Sequence, residues 1–283
     1  MPPTQSLDHL ILFLPANPDN QLPELPAFFE ENFTLTPGGF HADGATSNTL
    51  ILLADGCYIE LISFVDASKA ASHWWGPEAD ILGWKDWCLT NSKSPQDNYD
   101  SVKESHVEPV RGGRKRGDGV EVKWAVTFPN GEKGGQDVRG RIPFFCHDTT
   151  PRDVRVPLSP ERTAHACGAL GVQELTVIVK DRTLLDETRC VYTIIVGDEG
   201  IQRGDEVYFQ VGRVCHVEGL GSRPRAVLRL PKDKKEFEGT MKAGFLYGDV
   251  VLGAPAGANK QLGTRKRLDG GKDDVKGVWI EYV

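Results

Sequence analysis

Hydrophobic positions along the chain come in short runs separated by polar, glycine-rich turns, a spacing that predicts a strand-rich fold with few helices. The first run, residues 6–14 (SLDHLILFL), reads as a strand. QLPELPAFFEENF (21–33) reads as a short helix with Leu25, Phe28 and Phe29 on one face. TPGGFHADGATS (36–47) is turn-rich, with room for a short strand near 35–41, and NTLILLA (48–54) is a second strong strand. Asp55-Gly56 predicts a tight turn into the strand CYIELISF (57–64). The order is β-α-β-β-β.

A second unit follows the same order. ILGWKDWCLT (81–90) is a strand, and SPQDNYDSVKES (94–105) is a helix with Ser94 as cap and Pro95 at its first position. A turn at 117–119 leads to the alternating strand VEVKWAVTFP (120–129), and IPFFCHD (142–148) closes the unit. The repeat is one of element order rather than of sequence identity. TTPRDVRVPLSPERTAHACGA (149–169) is proline-rich and aperiodic, a connector. Strands resume at VQELTVIVKD (172–181), followed by a helix over RTLLDETRCVY, the strands EVYFQVGRV and RAVLRLPKD, a charged loop (258–276) and the final GVWIEYV. That ending repeats the aromatic-Ile-Glu pattern of CYIELIS, and VQELTVIV overlays LDHLILFL with Glu174 at the place of His9. The chain thus predicts an α+β fold: repeated β-α-β-β-β modules paired into a cupped mixed sheet, with a looser third module at the C-terminus. The expected divisions are a paired-module domain over 1–148, the connector at 149–169, and a third module over 170–283 that packs on the first domain.

Composition narrows the partners. The 283 residues allow one large domain or two ordinary ones, and 39% apolar with 26% charged residues supply a real core. A net charge of −7 argues against a nucleic-acid partner, because phosphate binding needs a basic face, and weakly against an anionic membrane surface. No apolar run approaches the ~20 residues of a bilayer-crossing helix. MPPTQSLDH has neither a basic nor an apolar leader region, so the expected location is cytoplasmic. The six cysteines (Cys57, Cys88, Cys146, Cys167, Cys190 and Cys215) form no CxxC pair, and Cys57, Cys88 and Cys146, which sit in apolar strand-like runs, read as small buried hydrophobes.

The charged residues inside the strands carry the chemistry. His9 and Glu60 interrupt apolar runs on the first and last strands of one module. In a cupped sheet those strands can lie side by side, so an imidazole and a carboxylate both face the cup, a pair suited to a divalent metal. LDHLIL, GGFHADGATSNTLILLADGCYIEL, HWWG, GGRKRGDGVEVKW, PFFCHD and HACGALGV together resemble the glyoxalase-like proteins of the vicinal oxygen chelate superfamily, over residues 6–180, with the nearest relatives expected among fungi. The resemblance implies a lyase, isomerase or dioxygenase that uses a divalent metal (Mn, Fe, Ni, Zn or Mg) to hold two adjacent oxygens of a small substrate. It implies His9 and Glu60 as metal ligands. The second module departs from the pattern: its first-strand equivalent falls near Asp86 and its last near Cys146 and His147, of which His147 is the expected ligand. The third copy offers Glu174 and Glu281 instead.

Each candidate also has a plainer reading. His9 can simply hydrogen-bond within its strand, and Glu60 can pair with an arginine such as Arg114, since an unpaired buried carboxylate is costly. His41, in GGFHADG, is either a surface residue or a catalytic base beside the substrate. Asn48 either orients a substrate oxygen or satisfies its own loop. Arg114 is the choice for a carboxylate clamp if one member of its basic hairpin points inward. Trp124 is core or pocket wall, His165 anchors the connector or touches the ligand, and His73, Trp74 and Trp75 cover the join between modules. Two function classes follow. One is a metal-dependent enzyme built on His9, Glu60 and His147, with His41 catalytic. The other is a metal-free protein that binds a small, partly aromatic or anionic molecule through the tryptophans and Arg114. Either the third module completes the fold within one chain or a homodimer does.

Overall fold

In the computed structural model, which describes residues 5–70, 73–76, 82–116, 118–258, 260–271 and 277–283, the first apolar run becomes β1 (Ser6–Phe13). Next come α1 (Ala27–Asn32), β2 (Thr36–Phe40), β3 (Thr46–Leu52) and β4 (Tyr58–Phe64). A single helical turn, α2 (Ala67–Ala70), precedes the second unit: β5 (Gly83–Thr90), α3 (Pro95–Val102), β6 (Val110–Lys115), β7 (Glu121–Thr127), α4 (Glu132–Gly135) and β8 (Phe144–Asp148). The Ser94 side chain accepts from the Asp97 N–H and Pro95 opens α3, as expected. The connector contains α5 (Arg152–Arg155) and α6 (Pro160–Thr163). The last third runs β9 (Gly171–Val179), α7 (Arg182–Val196), β10 (Ile201–Arg203), β11 (Glu206–Gln210), β12 (Arg225–Arg229), α8 (Lys234–Thr240), β13 (Phe245–Ala254), β14 (Arg265–Arg267) and β15 (Val278–Tyr282). Residues 1–4, Ile81 of the expected second-unit strand, Gly117 of the expected turn, and 259 and 272–276 of the charged loop lie outside the described residues.

The first two units share one sheet of order β2-β3-β4-β1-β5-β8-β7-β6. In each unit the first and last strands lie side by side and parallel, β1 with β4 and β5 with β8. The units join through the antiparallel pair β1 and β5. The outer strands then come round to meet: His41 bridges Arg114, and the Ala42 N–H donates to the Gly113 carbonyl at 3.4 Å. The sheet is a nearly closed cup.

A second sheet, β10-β11-β12-β9-β13-β15-β14, follows the same plan, with β9 parallel to β12, antiparallel to β13, and β13 parallel to β15. The last third therefore holds one full module, β9 to β12, and a shortened one, β13 to β15. GVWIEYV closes the shortened unit rather than the third module, whose last strand is β12. No helix among the described residues is long and apolar enough to cross a membrane.

The apolar alternation explains which way each strand faces. Leu10, Leu12 and Leu14 join Leu175, Val177, Tyr192 and Ile195 in a core between the two sheets, where Trp87 packs edge-on against Tyr192 at 5.5 Å. Ile11 and Phe13 instead join the cluster that lines the cup. The pairing of β1 with β5 slips between Leu7 and His9. Because Leu7 and Leu10 both belong to the core, the bulge leaves two consecutive residues, Asp8 and His9, on the cup side.

The Asp55-Gly56 turn is also the seam between the sheets. Gly56 has φ 82°, the left-handed conformation such a turn requires. The Asp55 N–H donates to the Leu170 carbonyl, the Asp55 carboxylate accepts from the Cys57 and Val172 N–H groups, and its carbonyl accepts from Cys215. Gly171 runs so close that a Cβ there would fall 2.2 Å from Asp55 Oδ2. Gly171→Ala should therefore lower stability by about 1–3 kcal/mol, read as a lower urea midpoint. Gly221→Ala, where a Cβ meets nothing within 4 Å, should not.

Candidate functional site

The cup encloses a cavity of about 1200 Å3 with two unlike walls. The first module supplies the polar wall: His9 from β1, Asn48 from β3, Glu60 from β4 and His41 just beyond β2. The second module supplies an apolar wall that includes Trp124 and Val126 of β7 and Phe144 and Cys146 of β8. Glu60 reaches the cavity because β4 alternates: Ile59 and Leu61 enter the inter-sheet core, while Tyr58 and Glu60 line the cup.

Glu60 is 6% exposed and has three partners. The Asn48 Nδ2 donates to Oε1 at 2.5 Å, His41 Nε2 lies 3.4 Å from the same oxygen, and His9 Nε2 lies 3.8 Å from Oε2. Burial opposes its charge, but the His41 hydrogen bond and charge, with His9 and Asn48, bring its pKa down to about 2. A depressed carboxyl stabilises the fold above the ordinary carboxylate range and loses that contribution as pH falls toward 2.

His9 is held from behind. Its ring stacks on Tyr58 at 4.6 Å and meets the edge of Phe144 at 5.4 Å, and its Nδ1 is 2.5 Å from Asp8 Oδ1. Asp8 is fully buried. It accepts from Arg152 Nη1 at 2.6 Å and from Arg155 Nη1 and Nη2 at 2.9 and 2.8 Å. Burial alone would raise its pKa; Arg155, Arg152 and the His9 hydrogen bond outweigh that and hold it well below the usual range. An ionised Asp8 only accepts, so His9 Nδ1 carries the proton and Nε2 turns its lone pair toward Glu60. Two electron-pair donors then face each other, an arrangement that calls for positive charge between them, either a proton on Nε2 or a bound cation.

The remaining expected residues divide between cup and scaffold. Arg114 is buried in the cup but does not pair with Glu60: its Nη1 donates to Asn48 Oδ1 at 3.1 Å, so the Asn48 amide stands between the two charges. Trp124 is pocket wall, with His41 edge-on at 6.3 Å. Trp74 and Trp75 also line the cavity and donate their indole N–H groups to Asp86. His147 is not brought to His9 and Glu60. Phe144 and Cys146 face the cup, so the intervening period-2 positions face away, and His147 Nε2 meets Asn91 Oδ1 at 3.2 Å. His165 does not line the cavity either: Nδ1 accepts from the Thr34 N–H and Nε2 donates to the Leu52 carbonyl, which uses both ring nitrogens to anchor the connector. Glu174 and Glu281 belong to the other sheet, where Arg225 and Arg265 pair with Glu174 and Arg265 also pairs with Glu281.

Asp8, Arg152 and Arg155 had not been singled out in the sequence. The signal for Asp8 was there: two adjacent polar residues between Leu7 and Leu10 break the strand period, as a bulge does. Asp8, His9 and Cys88 also bring potential metal-ligand atoms within 4.8 Å of one another. That trio suits a metal poorly, because arginines cover both Asp8 oxygens and burial pushes the Cys88 thiol well up.

Residues 7–189 match the sequence profile of the glyoxalase-like domain. The fold is similar to that of a hypothetical protein from Staphylococcus aureus, with a TM-score of 0.68 and 14% identity over 99% of this chain and 100% of that one. It is also similar to a mutant of 4-hydroxymandelate synthase from Streptomyces coelicolor, with a TM-score of 0.52 and 12% identity over 90% of this chain and 72% of that one. No curated protein matches the sequence. At these identities the structural likeness is one of fold.

Two outcomes follow from the geometry. Asp8→Ala should cost about 3–5 kcal/mol in chemical denaturation, because it leaves two guanidiniums in the interior to share the single carboxylate of Asp148. Asp86 gives the second. Burial raises its pKa to about 6 against the hydrogen bonds from Trp75, Trp74 and the Trp87 N–H. A raised carboxyl favours the fold at low pH and loses that contribution as pH rises through its folded value. Tryptophan emission should therefore titrate with a midpoint near pH 6, and the transition should vanish in Asp86→Asn.

Proposed function

We infer a function from one premise: the chain belongs to the glyoxalase-like domain family. The cup binds a small oxygenated molecule, and His9, Glu60 and His41 hold a divalent cation that engages it. One observation carries this reading: His9 Nε2 lies 3.8 Å from Glu60 Oε2 at the cup, with Asp8 fixing the imidazole from behind. A carboxylate behind a histidine is how metal-binding imidazoles are commonly oriented. Two imidazoles and one carboxylate fit Mn, Fe, Ni or Zn better than Mg, which prefers oxygen ligands.

When bound, such a cation supplies Lewis-acid stabilisation of negative charge on two adjacent substrate oxygens. The chain's own residues do the rest. Asp8 keeps the His9 proton on Nδ1, leaving Nε2 free. His41 binds Thr46 Oγ1 through Nδ1 at 2.6 Å, which fixes the ring and turns Nε2 into the cup as the atom that would meet the cation. Trp124 and Phe144 cover the opposite side with apolar surface and limit water. The reaction class this supports is that of a lyase, isomerase or dioxygenase of the vicinal oxygen chelate type.

A metal-free binding protein is the second reading. It is favoured by the second module, which sets Phe144 and Cys146 in the cup and caps Asp86 with indoles instead of offering ligands. Elemental analysis after loading with Mn, Fe, Ni or Zn decides between them. The enzyme reading expects close to one metal per chain, lost in His9→Ala and in Glu60→Gln and retained in His147→Ala. Absence of metal from the parent protein leaves the binder.

A further inference from the structure

Arg114 is 8% exposed and lines the cup, yet its partners are neutral. Nη1 donates to Asn48 Oδ1, Nη2 to the Arg155 carbonyl at 3.5 Å, and Nε has no hydrogen-bond partner. Two other buried arginines are paired with carboxylates. Arg155 holds Asp8 and Asp148, and Arg229 holds Glu236 through two hydrogen bonds. Among the described residues no carboxylate forms an ion pair with Arg114. A buried guanidinium without a counter-charge is costly, and a planar guanidinium on a cavity wall is suited to a carboxylate. Asn48 cannot supply the missing charge, and it turns its amide nitrogen to Glu60, whose own ion pairs are with His41 and His9. The rings of Trp124, Phe128 and Phe144 line the same cavity, Trp124 from β7, the strand paired with Arg114's own β6. Gly112 leaves room for the Trp124 indole, since a Cβ there would fall 2.5 Å from its Nε1.

We propose that the ligand of the cup is a monocarboxylate with a ring-bearing apolar body, its carboxylate on Arg114 and its body against Trp124, Phe128 and Phe144. This rests on the reading of the cup as a small-molecule site and does not depend on the metal. The guanidinium recognises the acid, and the aromatic wall selects against short hydrophilic acids.

The test uses phenylacetate, its uncharged isostere phenylacetamide, and acetate. Each is titrated calorimetrically into chelator-treated and into metal-loaded protein. In metal-free protein, phenylacetate should bind at least about tenfold more tightly than phenylacetamide and than acetate, a gap consistent with one charge-assisted contact. Arg114→Met should abolish the preference for acid over amide, and Arg114→Lys should keep part of it, with circular dichroism showing that each variant is folded. Equal binding of acid and amide, or no saturable binding of either, overturns the proposal even if Arg114→Met fails to fold. A preference that appears only with metal and survives Arg114→Met also overturns it, because the carboxylate then sits on the cation; the metal reading would stand.

Discussion

A carboxylate with no solvent exposure ties the cup together. Asp8 could not remain ionised in that position without compensation, since a desolvated lone charge costs several kcal/mol. The compensation comes from the connector: Arg152 and Arg155 lie three apart on α5, and both reach it. Arg155 also binds Asp148 at the end of β8 and the Tyr58 hydroxyl on β4, while Arg152 reaches the Gly56 carbonyl. One cluster of two guanidiniums and two carboxylates thus fixes β1, β4, β8 and the connector to each other. The orientation of His9 follows from it, because the imidazole has a single buried carboxylate to which its Nδ1 can donate. The connector, which has no regular period in the sequence, is ordered by these charges at α5, by Val156 packed with Leu50, Leu52 and Tyr58, and by the two hydrogen bonds of His165.

The two modules of the first sheet share a plan and differ in chemistry. The first keeps an imidazole and a carboxylate on adjacent strands. At matching places the second has an acid capped by Trp74 and Trp75 and a phenyl ring against His9. The second sheet diverges again: its carboxylates Glu174 and Glu281 close on guanidiniums of their own chain, which occupy the middle of the charge cluster. Three full modules and one shortened module therefore yield one polar centre, one apolar wall and one internally neutralised charge cluster. The fold supplies the cup, and the side chains decide what it holds.

How much of this was legible depends on where period 2 was unbroken. The strands of both early units, the repeat, and the approach of His9 to Glu60 could be read because polar residues interrupted alternating apolar runs. His147 was misread for the same reason in reverse. In PFFCHD, residues on both faces of β8 are buried, so the run gives no parity and the face of His147 is undetermined. Asp8 lay hidden in a bulge. Arg152 and Arg155 act across 144 and 147 residues of sequence, a separation no local pattern encodes. The shortened fourth unit escaped notice because no described helix stands between β13 and β14, and the helix was half of the repeat's signature.

The charges that face the cavity are arranged so that neither cancels the other directly. Glu60 and Arg114 are oppositely charged and close, and the simplest outcome would be an ion pair that left the cup inert. Asn48 prevents it by accepting from Arg114 with its oxygen and donating to Glu60 with its nitrogen. Both ends fix the same amide orientation, so the spacer cannot flip without facing like against like. Its seat depends on Gly38, where a Cβ would lie 1.8 Å from the Asn48 oxygen. A side chain at 38 would displace the amide and let the two charges approach. The separated pair leaves a carboxylate and a guanidinium, one amide apart, both facing the same cavity with their charges uncancelled by each other.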